Sequence, residues 1–355
     1  MTHLSFFFFR KKMVKGKMKS LEELATGTTQ ILDLLPKIIL DEVEEAARAR
    51  RFGRNLVRIN EDLVRTKGRS LVIGRRGTLT ASSVSEGGTP TENTLTYSAH
   101  TITVGKIGTC VKITQEAIDG AELNLIKDAI AEAGIALADK EDLDIVHELI
   151  GYTTASTISS GAGTLSTGKK ILEIVSDPAG IVSKVDYYDG KIVVTGAGTI
   201  TYAYTVRTYV EDAQSAGTLS YDDIAIAAGK IRSRKWKPNF MLIHPNQMAD
   251  LLRDTRFIDA SKYGSNEPIV NGEIGKIAGL KVLVSTHIPD GVMLIVDSTR
   301  AAWLAIKRPI DMKRWDNPAT DSVELYFYEE YGVKVTDEDA VEVVVNLNKT
   351  YATDL

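Results

Sequence analysis

The sequence predicts an α+β protein, and three observations carry that prediction. Residues 114–150 hold the only long helical periodicity in the chain. Residues 55–113 turn to Val, Thr, Ser and Gly with alternating apolar positions, a pattern of strands rather than helices. Residues 181–210 read as a strand meander folded about Asp189-Gly190, a strong short-range hairpin signal. Length, 43% hydrophobic content and 25% charged content suit a globular chain of two or three domains. A single cysteine, Cys110, excludes an internal disulfide framework. The net charge of −4 gives no general attraction for nucleic acid. No apolar run reaches 18 residues, so no segment is expected to span a membrane.

In chain order, residues 1–20 place Phe6, Phe7, Phe8 and Phe9 ahead of Arg10, Lys11, Lys12, Lys15, Lys17 and Lys19. A secretory leader has the reverse order and a longer apolar core, so an arm lying on a neighbouring or anionic surface is expected instead. A helical pattern over 21–54 is interrupted at Pro36, then runs acidic to basic as a helix dipole favours. The excursion 55–113 alternates around Leu71-Val72-Ile73 and 97–104, with the turn-rich SEGGTPTEN between. A hairpin this poor in apolar residues cannot bury a core alone, so a second molecule is expected to cover it.

The helix 114–150 has Leu123, Ile126, Ile130, Ala133 and Leu137 on one face. Thr114 is a candidate cap. Gly120 and Gly134 each weaken the helix by about 1 kcal/mol relative to alanine, so a break is expected near Gly120 and a continuous helix over 121–150. SSGAGTLSTGKK then reads as a linker into the meander, whose last strand sets Tyr202, Tyr204, Val206 and Thr208 on one face. Ser220 and Asp223 approximate a capping box for a helix over 221–235. A strand over 240–243, a helix over 246–253, a long loop over 254–280, strands over 281–285 and 292–296, and C-terminal strands around 323–327, 332–335 and 340–345 complete the chain.

Chemistry is hard to find. Gly163 to Lys170 spells a phosphate-binding loop with Lys170 in place of the hydroxyl residue, but it follows no buried strand and opens no helix. His3, His100, His147, His244 and His287 lie far apart, and one cysteine cannot complete a zinc set. The acidic pairs Glu44-Glu45, Glu141-Asp142 and Glu329-Glu330 read as solvated faces. Arg75-Arg76 is a local basic pair, and the run Arg232, Arg234, Lys235, Trp236, Lys237 reads as the charged end of a helix. No catalytic, cofactor-binding or metal-ligating residue is assigned, no cofactor is expected, and the chain is not read as an enzyme.

Three stretches together resemble the tailed-virus major capsid proteins of the Hong Kong 97 fold. They are KIGTCVKITQEA from Lys106, FMLIHP from Phe240 with Leu251-Leu252-Arg253-Asp254, and IAGLKVLVS from Ile277 with IPDG and LIVD after it. The resemblance implies an N-terminal arm and short helix at 1–54 and an extended loop with adjoining strands at 55–113. It then implies a spine helix and peripheral domain at 114–168, an inserted β domain at 169–216, an axial domain at 217–306, and peripheral strands at 307–355. The implied partners are copies of the same chain in pentamers and hexamers of an icosahedral shell, packaged double-stranded DNA held non-specifically, and scaffolding, portal or decoration proteins, with no membrane. No long scaffolding helix precedes the arm, so assembly control is expected from a separate protein or from none. Lys67 with Asn346 or Asn348 would be the residues for a subunit cross-link, which is not expected. An encapsulin-type shell around a cargo enzyme shares the implied fold, and the extra domain and basic arm favour the virus. A soluble hydrolase lacks a convergent polar constellation.

Overall fold

The computed structural model describes residues 41, 43–48, 50–77, 79–114, 116, 124–187, 189–207, 209–211, 218–253 and 276–347. The arm, the expected break near Gly120 and most of the loop 254–280 lie outside them. The chain divides into two compact units. The first comprises 1–50, 106–139 and 308–330, and the second 51–105, 140–307 and 331–355.

In the first unit the long helix α1 (Asn124–Ile150 in full) contributes its N-terminal half, and at about 1.5 Å per residue the whole helix is about 40 Å long. Of the stripe read from spacing, Ile130, Ala133 and Leu137 are on the buried face, while Leu123 and the Ile126 side chain lie outside what is described. These side chains pack with Val43 and Ala47 of the helical stretch 43–48, and with Ile310, Leu325 and Phe327. Gly134, read from sequence as a weak point, is where the two helical stretches touch. A Cβ there would stand 2.6 Å from the Val43 carbonyl oxygen, so glycine is required for the approach despite its helix cost.

Residues 310, 325 and 327 lie on two long strands, β16 (Ala302–Asn317) and β17 (Ser322–Val335), each continuing into the second unit. They form the middle of a sheet ordered β1-β16-β17-β4, with β1 at Arg58–Asn60 and β4 at Gly105–Thr114. Sequence reading missed β16 because Pro309 and six charged residues interrupt its apolar pattern. Among the described strands β1 pairs only with Trp303, Leu304 and Ala305. Pro309 therefore sits at an open edge, where a residue without an N–H is tolerated.

The second unit is built on a six-stranded sheet, in the order β11 (Tyr209–Glu211), β18 (Val341–Val345), β15 (Met293–Val296), β12 (Phe240–Ile243), β14 (Leu280–Val284) and β13 (Lys276–Ile277). Its central strand β12 runs parallel to β14 and antiparallel to β15, which pairs with β18. Strands β12, β15 and β18 are buried along most of their length, as short strands covered on both faces must be, whereas β14 buries only Leu280 and Val282. Helix α2 (Tyr221–Ser233) lays Ile224, Ala227, Ala228 and Ile231 onto the same core as Met241, Ile243, Met293, Ile295 and Val344. Its start is fixed by Asp223, which accepts from the Ser220 N–H at 2.9 Å and from the Ser220 hydroxyl at 2.6 Å. Helix α3 (Pro245–Arg253) adds Leu251. Within the expected loop 254–280, Lys276–Ile277 form β13, so ordered structure begins before Leu280.

The stretch read as a linker is instead sheet. Strand β5 (Tyr152–Ser160) pairs with β10 (Ala197–Thr205) over nine residues, Tyr152 opposite Thr205 and Ser160 opposite Ala197. Strand β6 (Gly163–Ser166) pairs with β9 (Lys191–Val194), and β7 (Ile171–Ser176) and β8 (Val182–Asp186) complete two three-stranded sheets. One core of Ile171, Ile181, Ile192, Val194, Ile200 and Tyr202 joins them. The β domain thus occupies 152–205 rather than 169–216, and β11 (Tyr209–Glu211) belongs to the six-stranded sheet. Val206 lies beyond β10 and is exposed, off the tyrosine face expected for it. The misreading has a physical cause. Strand β5 is Ser/Thr-rich because one of its faces meets solvent, where Ser156 and Thr201 hydroxyls lie 3.0 Å apart across the pair.

Candidate assembly surfaces

Strands β2 (Ser70–Arg76) and β3 (Tyr97–Thr103) form the antiparallel hairpin of the core-poor excursion, Leu71 opposite Ile102 and Arg76 opposite Tyr97. The period of two sorts its side chains into faces. Leu71, Ile73 and Ile102 root the inner face in a small cluster with Leu63, Val104, Ala305 and Trp303. Every residue of the outer face is exposed, Val72 by 61% and Tyr97 by 70%. Beyond the strands, 79–94 are exposed throughout, and the Asn93 amide bonded to the Thr80 carbonyl at 2.7 Å ties the two sides. Arg75, on the inner face, pairs with Asp337 at 2.9 Å, so of the Arg75-Arg76 pair only Arg76 lies on the open face.

The acidic pairs correct the sequence reading in part, since Glu44 and Glu45 do lie at the surface while the other two pairs do not. Glu141 and Asp142 are fully buried and Glu329 nearly so, not solvated. On α1, Glu141 and Asp142 fall at the next turn of the buried stripe, after Leu137 and Ala138 and before Ile145. Glu141 receives Arg54 through two bonds at 2.7 and 3.0 Å and lies 2.8 Å from Arg51. Asp142 accepts the Phe52 and Gly53 N–H groups at 3.0 and 2.9 Å, satisfying donors at the start of the 3-10 turn Gly53–Asn55. Burial raises the Asp142 carboxyl above its ordinary range, and those two N–H bonds oppose the shift.

A second polar cluster fixes the neck of the β domain. The Thr205 hydroxyl donates to the Ile150 carbonyl at 2.6 Å and the Val206 N–H to Gly151 at 3.1 Å. Gly151 takes φ +70 at the end of α1, a conformation that favours glycine. Arg207 bonds the Glu148 carbonyl at 3.1 Å and pairs with Glu338. His147 stacks on Tyr152 at 4.0 Å, and Tyr152 donates to Glu173. Burial holds His147 below its ordinary 6.5, outweighing the raising influence of Glu173 and Asp144. With a depressed folded pKa, the unfolded chain binds the extra proton, so His147's contribution is present above pH 6.5 and lost as pH falls. On passing from pH 7.5 to pH 5.5, the thermal midpoint of wild-type subunit is expected to fall further than that of His147→Phe, which keeps the stack. Equal falls would remove His147 as the cause.

The remaining sequence candidates are not brought together. His100 lies on β3, His147 on α1, and His244 and His287 in loops of the six-stranded unit. Among the described residues no group of three or more His, Cys, Asp or Glu could hold a metal. The Gly163 to Lys170 motif runs from β6 into β7 with no helix after it, which is wrong for a phosphate cradle. The basic run lies at the end of α2, where Arg232 bonds the Ala278 carbonyl at 3.0 Å and Arg234 meets buried Glu342 at 2.8 Å. Cys110 is exposed on β4. Among the described residues no helix is long and apolar enough to cross a membrane.

The described residues form a mixed α+β chain with a long helix and an exposed two-stranded excursion, and no metal-holding group is found among them. The chain belongs to the phage capsid protein family, whose match covers residues 97–346. Its fold is shared with the capsid of cyanophage P-SCSP1u, at 14% identity and TM-score 0.53 over 82% of this chain and 86% of that one. A structure of Mycobacterium phage Che8 aligns at 15% identity and TM-score 0.54 over 84% and 92%. The mature capsid of bacteriophage PhiM1 aligns at 13% and 0.54 over 83% and 86%. A search of curated proteins returns no match. The resemblance to major capsid proteins of the Hong Kong 97 fold is thereby established, and the chain's place is the capsid of a virion.

Proposed function

We propose that this chain closes, through rings of five and six copies, into an icosahedral shell around double-stranded viral DNA. The observation that carries the proposal is the outer face of the β2–β3 hairpin. Val72, Ala99 and Tyr97 share it, together with a backbone that contributes no core of its own. Such a surface is stabilised when a neighbouring copy covers it, and repetition of one heterologous contact closes rings. In this reading the arm 1–54 and the extended loop 55–113 reach adjacent subunits. Residues 114–151 and 307–335 belong to the peripheral domain, and the six-stranded sheet, which β18 joins beside β15, points to the ring centre. The β domain, with its bounds at 152–205, is an outlying module. A net charge of −4 supports containment of DNA without tight binding to it. Scaffolding, portal and decoration proteins are the expected partners during assembly in the host cytoplasm.

Particles purified from expressing cells should appear as closed shells by negative-stain microscopy. A shell carrying only a cargo enzyme, or subunits that never close, would overturn the viral reading. Replacing Val72 and Tyr97 together by lysine should leave the subunit's melting curve within about 0.5 kcal/mol of wild type. Shell yield should fall by about tenfold or more, since each ~1.4 kcal/mol lost from a contact is a factor of ten. An unchanged yield would show that this face is not a contact.

A further inference from the structure

Where β7 and the end of β8 meet the turn before β15 and the end of β18, a cavity of about 200 Å³ is lined by Glu173, Tyr187, Asp290 and Asn346, among others. It is several times the ~30 Å³ share of one water. Asn346 is 5% exposed, and among the described residues neither its amide oxygen nor its amide nitrogen has a partner. Its backbone, at φ +67, turns the chain out of β18, and the next N–H, of Leu347, is bonded to Gly291 at 2.9 Å. The amide is thus held in place while both its polar atoms go unanswered, a costly arrangement unless something else meets them. Asp290 is fixed by the Asn246 and Gln247 amides at 3.0 and 2.8 Å, and Glu173 by the Tyr152 hydroxyl. Both carboxylates act on Tyr187, whose phenol is raised by burial first and then by Asp290 and Glu173.

We propose that this cavity is a subsite for a guanidinium group carried on a polypeptide, an arginine side chain presented by a neighbouring chain. The planar fork offers N–H donors to both carboxylates and to the Asn346 amide oxygen. A peptide carbonyl beside it supplies the acceptor that the Asn346 amide nitrogen lacks. The source of the arginine rests on the shell reading. The binding chemistry does not, because an isolated subunit would show it.

Calorimetric titration of dispersed subunit with N-acetylarginine amide tests the site directly. Saturable binding in the millimolar range is expected. N-acetylcitrulline amide, the neutral isostere, should bind about tenfold more weakly or worse. Agmatine, which has the guanidinium and no carbonyl, should also bind more weakly. Glu173→Gln keeps an acceptor for Tyr152 while removing the charge, and should weaken binding with no change in melting midpoint. Asn346→Gly suits the positive φ and removes both orphaned atoms, with the same expected result. Equal binding of the citrulline compound, or no saturable heat, would mean a water-filled cavity and overturn the proposal. Equal binding of agmatine would overturn its peptide part.

Discussion

Glu141→Ala is expected to unfold the subunit more readily than any other single replacement on α1, lowering its stability by about 3–5 kcal/mol. The magnitude follows from what is left behind. Glu141 is fully buried, Arg51 has a side chain only 8% exposed, and Arg54 is 28% exposed. Removing the carboxylate deprives buried Arg51 and part-exposed Arg54 of the acceptor they share. Glu141→Gln should cost less than alanine, since an amide oxygen still accepts from one arginine. The triple replacement Arg51→Met, Arg54→Met, Glu141→Leu should cost less than Glu141→Ala, because both guanidinium groups leave together with the carboxylate they share. Urea titration of dispersed subunit reads the order directly as a series of midpoints. If the triple variant were the weakest of the three, the ion pairs would be net stabilising, and stranded charge would not be the main cost in Glu141→Ala.

The same residues show why part of the molecule was legible in the sequence and part was not. Periodicity identifies Ile130, Ala133 and Leu137 because an apolar stripe reports burial without reference to any partner. Strands β12, β15 and β18 are legible for the same reason. The turn Asp189-Gly190 is legible from local backbone chemistry, with Gly190 at φ +66 between β8 and β9. Glu141 continues the stripe, but its partner Arg54 lies 87 residues away. In sequence a buried ion pair looks like two unrelated surface charges. Gly134 is ambiguous in the same way, since the Val43 carbonyl that demands it belongs to another segment. For the assembly surface, the sequence shows that 55–113 has too little apolar content to form its own core. Pairing with β3 and rooting at Ile102 decide which face is open, and both are tertiary facts. Nothing in one dimension marks Asn346, a polar residue ending a run of valines.

Deleting the β domain separates two definitions of it that differ by a few strands and predict opposite outcomes. Strands β5 and β10 enter and leave side by side, Tyr152 opposite Thr205, and Val206 is hydrogen-bonded to Gly151. Removal of 152–205 with a short Gly-Ser bridge therefore asks the chain to span a gap already closed in the native fold, a small loop-closure cost. The deleted piece takes its own core with it, since Ile171, Ile181, Ile192, Val194, Ile200 and Tyr202 are all inside the excised range. The shortened subunit should be soluble and keep the cooperative melt of the six-stranded unit. Removal of 169–216, the range that the meander alone suggests, would strip β5 of β10 and β6 of β9 and also take β11 from the edge of β18. Unpaired strand edges and an exposed β18 flank invite association between chains, so that product should be recovered mainly as aggregate. The two deletions differ in where they cut more than in length, so comparing soluble fractions side by side isolates the effect of the boundary. Soluble, cooperatively melting protein from the 169–216 deletion would show that β5 and β6 do not depend on β9 and β10. Aggregation of the 152–205 deletion would show that the rest of the second unit depends on the β domain's presence, through the neck contact of Thr205 with α1.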